Sequence, residues 1–133
     1  MEQSFRLLIV DDQPRTRQGL SALLVIDFPQ IELSEASNGK EALHQVETLR
    51  PDVLVMDVLM PGGDGIEATR SIKARYPLTK VILYSMYAEY QSEALAAGAD
   101  AFVVKGEPSK TLVAAIAGLA KAKTASSRSD EAE

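Results

Sequence analysis

The sequence contains no cysteine, and histidine occurs once, as His44. The absence of cysteine excludes disulfide scaffolds, zinc ribbons and thiol catalysis. A single histidine excludes a histidine cluster for a transition metal. No apolar run approaches the roughly 18 residues that a transmembrane helix needs. Residues 1–6 also lack the pattern of a signal peptide, which predicts a soluble, cytoplasmic protein.

Positive charge is also scarce, because 14 Lys and Arg stand against 19 Asp and Glu and the formal net charge is -5. Direct binding of nucleic acid needs a basic face, so neither that function nor a membrane contact is expected of this chain. The 133 residues, 46% of them hydrophobic, suit one compact domain. A domain of this size needs neither a disulfide nor a structural metal to be stable.

Short apolar runs alternate with amphipathic stretches along the chain. The runs are 7–10, 53–56, 81–84 and 101–104, with a half-exposed, edge-like strand at 31–36. Helical patterns cover about 14–28, 38–49, 64–76, 89–97 and the residues from 108 onward. Five strands alternating with five helices predict an α/β fold, an open parallel sheet with helices on both faces. The polar stretch 124–133 is typical of a disordered tail or the start of a linker.

Four of the five apolar runs stop at a charged or reactive side chain. These side chains are Asp11 and Asp12, Asp57, Ser85, and Lys105. Ligands of open α/β sheets bind beyond the carboxyl ends of the strands, so the carboxylates converge there if the first and third strands are neighbours. Taken singly, each residue has an ordinary explanation as a helix cap, a turn residue or a solvated lysine. Their joint placement favours a site.

Three carboxylates in one crevice repel each other, so a positive charge must offset them. Lys105 supplies one charge and a divalent cation would supply two more. A site with oxygen ligands alone selects Mg²⁺, which also binds phosphate oxygens. The pattern therefore predicts an acyl phosphate on Asp57, with Ser85, Lys105 and backbone N–H groups of the next loop as donors. The glycines of 61–65 match no nucleotide motif and are expected to let the backbone turn close to Asp57.

With these residues the chain resembles the receiver domain of two-component response regulators. The matching segments are LLIVDD at 7–12, DVLMPGGDG at 57–65, ILYS at 82–85 and GADAFVVK at 98–105, in order within about residues 5–120. The resemblance implies a flavodoxin-like (βα)5 fold, doubly wound, with a parallel five-stranded sheet of order 2-1-3-4-5. This receiver domain would cover residues 1–123.

The resemblance also implies a role for each site residue. Asp57 would accept a phosphoryl group from a histidine kinase or a phosphotransfer protein, with Ser85 and Lys105 assisting. The Mg²⁺ ligands would be Asp11, Asp12, Asp57 and the backbone carbonyl of Leu59. Ser85 and Phe102 would form the conformational switch. No enzymatic activity is expected beyond the domain's own phosphotransfer and dephosphorylation.

Three features depart from the family pattern or bear on its chemistry. Gly106 follows Lys105 where the family usually has proline, which puts the cis-proline turn in doubt. Phe102 lacks a tyrosine hydroxyl, so the switch would be steric. Leu59 and Tyr87 are bulky and are expected beside the phosphate entry path, which gives the hypothesis that they obstruct water and make the aspartyl phosphate long-lived.

The output of the switch stays open at this point. The segments around residues 64–70 and Gly106 are most similar to receivers coupled to LuxR-type helix-turn-helix outputs, so transcription regulation is expected, with a homodimer on phosphorylation as a further hypothesis. The chain is either a stand-alone receiver or a truncated regulator. Two other functions fit part of the pattern. A phosphohydrolase of the haloacid dehalogenase type is disfavoured by the adjacent Asp11 and Asp12, and a degenerate receiver by the complete residue set.

Overall fold

A computed structural model of the protein describes residues 4–61 and 64–132, with side chains as far as residue 120. In this part of the chain five strands alternate with five α-helices, as predicted. The strands are β1 (Arg6–Val10), β2 (Glu32–Ala36), β3 (Val53–Asp57), β4 (Lys80–Ser85) and β5 (Ala101–Val104). The helices are α1 (Pro14–Asp27), α2 (Gly39–Leu49), α3 (Gly65–Arg75), α4 (Gln91–Ala96) and α5 (Ser109–Ala132). One 3-10 turn, Ala88–Tyr90, precedes α4.

All neighbouring strands pair in parallel, and their order is β2-β1-β3-β4-β5. The predicted flavodoxin-like topology is therefore confirmed. β1 and β3 lie side by side with Val10 opposite Met56, so both strands end at the same level. The chain reverses its direction of winding at this pair, which is where an open α/β sheet leaves a crevice.

Each face of the sheet carries its own apolar core, because successive strand residues point to opposite sides. Leu8, Val10, Leu54 and Met56 pack with residues of α2, α3 and α4. Leu7, Ile9, Val53 and Val55 pack with residues of α1 and α5. The runs of β1 and β3 are apolar because both of their faces are covered, as is typical of parallel sheets, whereas the edge strand β2 is half-exposed.

Two of the predicted helix starts are confirmed at the atomic level. The Asn38 side chain accepts a hydrogen bond from the Glu41 N–H at 2.8 Å, and the Asp64 side chain accepts one from the Glu67 N–H at 2.7 Å. The glutamates that follow these two caps bond differently from each other. Glu41 accepts from Ser37, one residue before the cap, whereas the Glu67 carboxylate pairs with an arginine of its own helix.

The last helix is longer than its sequence pattern indicates. α5 continues as helical backbone to Ala132, through the stretch from residue 124 for which a disordered tail or a linker start is predicted. That stretch is polar but contains neither proline nor glycine, the residues that most strongly stop a helix. The disordered tail or start of a linker at residues 124–133 stays a prediction. None of the helices within residues 4–61 and 64–132 has the length and apolar character to cross a membrane.

Candidate functional site

The predicted site residues come together at the carboxyl edge of the sheet. Asp11 and Asp12 follow β1, Asp57 ends β3, Ser85 ends β4, and Lys105 follows β5. One carboxylate oxygen from each of the three aspartates lies within 4.8 Å of the others. Residues that are 46 positions apart along the chain, such as Asp11 and Asp57, thus share one acidic cluster because β1 and β3 are adjacent.

Lys105 is the cation that holds this cluster together. Its Nζ donates to Asp57 Oδ2 at 3.0 Å and to Asp11 Oδ2 at 3.4 Å. The side chain of Asp11 is only 3% exposed and that of Asp57 13% exposed, so solvent screens these contacts weakly. Within the described residues no hydrogen bond or ion pair engages the half-buried Asp12 carboxylate. Three carboxylates against one ammonium leave two negative charges uncompensated.

The buried position of the cluster changes its protonation equilibria. Burial raises the pKa of Asp57 above that of an ordinary aspartate, while the hydrogen bond and charge of Lys105 oppose this rise and the charge of Asp11 adds to it. Burial alone lowers the pKa of Lys105, but its pairing with Asp57 and Asp11 outweighs that effect and leaves the pKa raised. Lys105 is therefore cationic. Because burial disfavours the ionised form of the Asp57 carboxylate, additional positive charge nearby would stabilise that form.

Backbone groups orient two of the carboxylates. Asp11 Oδ1 accepts from the Gln13 N–H at 2.8 Å, and Asp57 Oδ1 accepts from the Leu59 N–H at 3.3 Å. These bonds leave further lone pairs on both carboxylates for a cation. They also place the Leu59 peptide beside Asp57, where its carbonyl is predicted to be a metal ligand.

Arg17 is a supporting residue that the sequence pattern does not reveal. Its Nη1 donates to the backbone carbonyl of Asp11 at 2.6 Å, and its Nε pairs with Glu35 at 2.7 Å. The guanidinium thus ties α1 to the ends of β1 and β2. A charged residue in a helical pattern gives no signal of such a role, because Glu35 is its partner only once β2 has paired with β1.

Ser85 ends β4 at the same edge of the sheet and is buried. Its hydroxyl accepts a hydrogen bond from the Tyr87 N–H at 3.1 Å, which leaves the hydroxyl proton available. Its carbonyl accepts from the Lys105 N–H at 2.7 Å, so Ser85 and Lys105 are joined through their backbones. Phe102 on the neighbouring strand is half-buried and packs against the core of α2, α3 and α4.

The turn after Lys105 is built on Gly106 and not on the proline that is usual in the family. Gly106 has a φ of 96°, a value that proline cannot adopt, and no peptide bond in the described residues is cis. This turn is therefore a glycine turn and not a cis-proline turn. Of the glycines predicted to bring the loop close to Asp57, Gly65 does so, and Gly62 and Gly63 lie outside the described residues.

An open cleft of about 570 Å³ lies above the acidic cluster. Besides the charged cluster it is lined by Arg15 and Thr16 of α1 and by the exposed side chains of Leu59 and Met86. Leu59 is therefore where it was expected. The described lining of this cleft does not include Tyr87, which differs from the expectation for it. Its ring packs edge to face on Tyr90 at 6.3 Å, and Met86 takes its place at the cleft.

Comparisons with known proteins give the same family as the sequence motifs. The model of the response regulator receiver domain matches residues 7–117. The transcriptional regulatory protein LnrK of Bacillus subtilis is 33% identical over 113 residues, which are 84% of this chain and 51% of that protein. The response regulator protein VraR of Staphylococcus aureus is 34% identical over 115 residues, 85% of this chain and 55% of that protein. The chain spans about half the length of these curated relatives.

Solved structures with the same fold include two close matches. A LuxR-family two-component response regulator from Aurantimonas sp. SI85-9A1 superposes with a TM-score of 0.81 at 32% identity, covering 90% of this chain and 87% of the other. The response regulator TrrA from Thermotoga maritima, solved in complex with Mg²⁺–BeF, superposes with a TM-score of 0.80 at 32% identity, covering 90% and 99%. Fold, motifs and relatives agree, and the chain belongs to the family of response regulator receiver domains of two-component systems.

Proposed function

We propose that this domain is a phosphorylation-dependent switch that accepts a phosphoryl group on Asp57 from a histidine kinase or a phosphotransfer protein. The observation that carries the proposal is the contact of Lys105 Nζ with both Asp57 and Asp11 inside a cluster of three carboxylates. This cluster is negative, partly buried and open to a cleft, so it can take up a cation and a phosphoryl group together.

The chemistry of the donor set fits Mg²⁺. All candidate ligands are oxygens, and the cluster carries two negative charges beyond what Lys105 offsets, which suits a small divalent cation. Asp11, Asp12, Asp57 and the Leu59 carbonyl would hold it. Bound Mg²⁺ would neutralise charge on the phosphoryl oxygens during transfer. The related protein TrrA, which was solved with Mg²⁺–BeF, supports this assignment.

The proposed transfer uses the Asp57 carboxylate as nucleophile. A carboxylate oxygen attacks the phosphorus of the donor phosphohistidine, and a P–O bond forms as the P–N bond breaks. The bonding electrons pass to the imidazole nitrogen, which takes up a proton from solvent. The product is an acyl phosphate on Asp57, which carries about one more negative charge than the carboxylate did.

The added charge is what drives the switch. The Lys105 ammonium, now shared by Asp57 and Asp11, and the free hydroxyl proton of Ser85 are the donors available to the phosphoryl oxygens. If Ser85 moves toward the phosphate, it leaves the Tyr87 N–H and Phe102 can pack further inward. A phosphoryl group shifts the equilibrium only through such bonds, which form in one state and not in the other.

The proposed consequence is regulation of a downstream output in the cytoplasm. Relatives such as LnrK and VraR are named as regulators and are about twice as long as the matched region, so an output domain or a separate partner would receive the signal. Transcription is the process that these relatives favour. Homodimerisation on phosphorylation is part of the same proposal.

Intact mass spectrometry after treatment with acetyl phosphate tests the proposal. We expect the wild-type protein to gain one phosphoryl mass with Mg²⁺ and far less with EDTA. Asp57→Asn should gain none, and Asp27→Asn, which removes an exposed carboxylate at the end of α1, should react like the wild type. Equal modification of the wild type and Asp57→Asn, or no modification of either, would contradict the proposal.

A further inference from the structure

Arg15 lies at the mouth of the cleft and has no assigned role so far. It is in the first turn of α1, is exposed, and lines the same cleft as Asp57 and Lys105. Among the described residues no ion pair or hydrogen bond engages its guanidinium. Arg17, two positions further along the helix, is held by Glu35 and by the Asp11 carbonyl. The two arginines therefore differ, because one is a fixed support and the other is free to meet a ligand.

The charge balance of the cleft indicates what this ligand is. A divalent cation would cancel the two surplus negative charges of the aspartates and Lys105, so the floor of the cleft would then be close to neutral. A phosphoryl donor arrives as a dianion. Of the described residues, Arg15 and Lys105 are the two cationic side chains that line the cleft, and Lys105 is already engaged with Asp57 and Asp11. Arg15 is the exposed cation of the two and Lys105 is half-buried, so we expect an incoming donor to meet Arg15 first.

The guanidinium group suits this task. Its planar fork of N–H donors matches two phosphoryl oxygens at once, whereas an ammonium binds as a point charge. Lys105 is placed to bind the phosphoryl group once it is on Asp57, and Arg15 is placed to bind it while it is still on the donor. Exposed charges at the edge of a binding site act mainly on association, and salt weakens them.

We propose that Arg15 determines the reactivity of Asp57 toward phosphoryl donors by binding the donor's phosphoryl oxygens at the cleft mouth before transfer. This inference rests on the proposed function. Because the contact is to the phosphoryl group and not to the leaving group, it serves donors as different as an acyl phosphate and a phosphoramidate. Arg15 is a recognition residue, and the nucleophile and the metal ligands are unchanged by it.

The test is the second-order rate constant for phosphorylation, measured with Mg²⁺ by intact mass. For Arg15→Gln we expect a fall of roughly tenfold at low ionic strength with both acetyl phosphate and phosphoramidate, and a smaller fall at high salt. Arg15→Lys should recover only part of the rate. Arg75→Gln is the matched control, since it removes the same charge beside Pro77 and Leu78, at the opposite end of the sheet.

The outcomes separate the two proposals. If the wild type reacts and Arg15→Gln reacts as fast as Arg75→Gln, the role of Arg15 is refuted while the proposed function stands. If only the acetyl phosphate rate falls, Arg15 recognises the leaving group and the inference is also refuted. If the wild type gains no phosphoryl group from either donor, the proposed function fails and the role of Arg15 fails with it. Equal melting temperatures of the variants show that a change in rate does not come from unfolding.

Discussion

The backbone carbonyl of Asp57 occupies the space that a β-carbon on Gly65 would need. The Gly65 N–H also donates to the Val58 carbonyl at 2.7 Å, which draws the start of α3 back onto the end of β3. The first residue of α3 therefore lies directly against the backbone at the end of β3. Glycine is needed at position 65 because of this close approach and not because of an unusual φ.

Gly65→Ala is expected to destabilise the domain by about 1–3 kcal/mol, because the added methyl group forces the Asp57 backbone or α3 to move. Urea unfolding measures the change. Gly118→Ala is the control, since a β-carbon at this exposed position of α5 meets nothing within 4 Å. It should raise stability by about 0.5–1 kcal/mol, as alanine favours a helix over glycine. Equal effects of the two substitutions would show that Gly65 is not tightly packed on the Asp57 backbone.

Asp12→Asn is expected to stabilise the metal-free protein by roughly 1 kcal/mol, because it removes one of the mutually repelling carboxylates. The same change should weaken the stabilisation by Mg²⁺, which for the wild type is about 1.4 kcal/mol when Mg²⁺ is at ten times its dissociation constant. Thermal unfolding in EDTA and in Mg²⁺ measures both effects. A Mg²⁺ response of Asp12→Asn as large as that of the wild type would exclude Asp12 as a ligand.

Lys105→Gln is expected to raise the pKa of Asp57 further. Burial already raises it, and the substitution removes the cation that opposes this rise. A raised folded-state pKa means that the native protein holds the proton more tightly than the unfolded chain. The contribution of the protonated carboxyl to the free energy of unfolding is therefore fully present below the ordinary aspartate pKa. It is lost as the pH rises through the pKa that Asp57 has in the folded protein.

In metal-free Lys105→Gln this loss should extend to higher pH than in the wild type. Carboxyl NMR titration in EDTA gives the pKa of Asp57, and urea unfolding across the acid range gives the stability. Lys40→Gln, an exposed charge removed from α2, should leave both unchanged. A fall in the Asp57 pKa on removal of Lys105 would contradict the assigned ion pair.

Ser85→Ala is expected to retain phosphorylation of Asp57 but to lose the structural response. It removes the hydroxyl that can donate to the phosphoryl group, and it leaves the Tyr87 N–H without its partner, at a cost of about 1–3 kcal/mol. Amide shifts of α4 and β5 on addition of beryllofluoride and Mg²⁺ should be much smaller than in the wild type. Ser71→Ala, on the exposed face of α3, is the control, and an undiminished response of Ser85→Ala would exclude Ser85 from the switch.

Leu59→Ala is expected to shorten the lifetime of the aspartyl phosphate by on the order of tenfold, equivalent to about 1.4 kcal/mol of barrier, because it opens the cleft to water. Tyr87→Ala should have little effect, since this ring packs on Tyr90 outside the cleft. The decay of phosphorylated protein after removal of the donor measures both. A wild-type half-life of seconds would refute the idea that Leu59 protects the phosphate.

Much of the site could be predicted because parallel sheets obey strong rules. Once the apolar runs are assigned to strands, Asp11, Asp57 and Ser85 must lie at one edge of the sheet, whatever the loops do. The capping residues Asn38 and Asp64 were equally predictable, since a helix start is decided by a few consecutive residues. These features depend on local pattern and on topology alone.

The sequence by itself determined the α/β alternation, the strand ends that carry the aspartates, and their need for a cation. Only the tertiary structure decided which side chains surround them: Arg17 bridging to Glu35, Gly65 against the Asp57 carbonyl, and Met86 at the cleft in place of Tyr87. Periodicity tells which face of an element a side chain takes. Periodicity does not tell which residues that side chain contacts, because the contacts depend on the path of the loops and on residues that are far away along the chain.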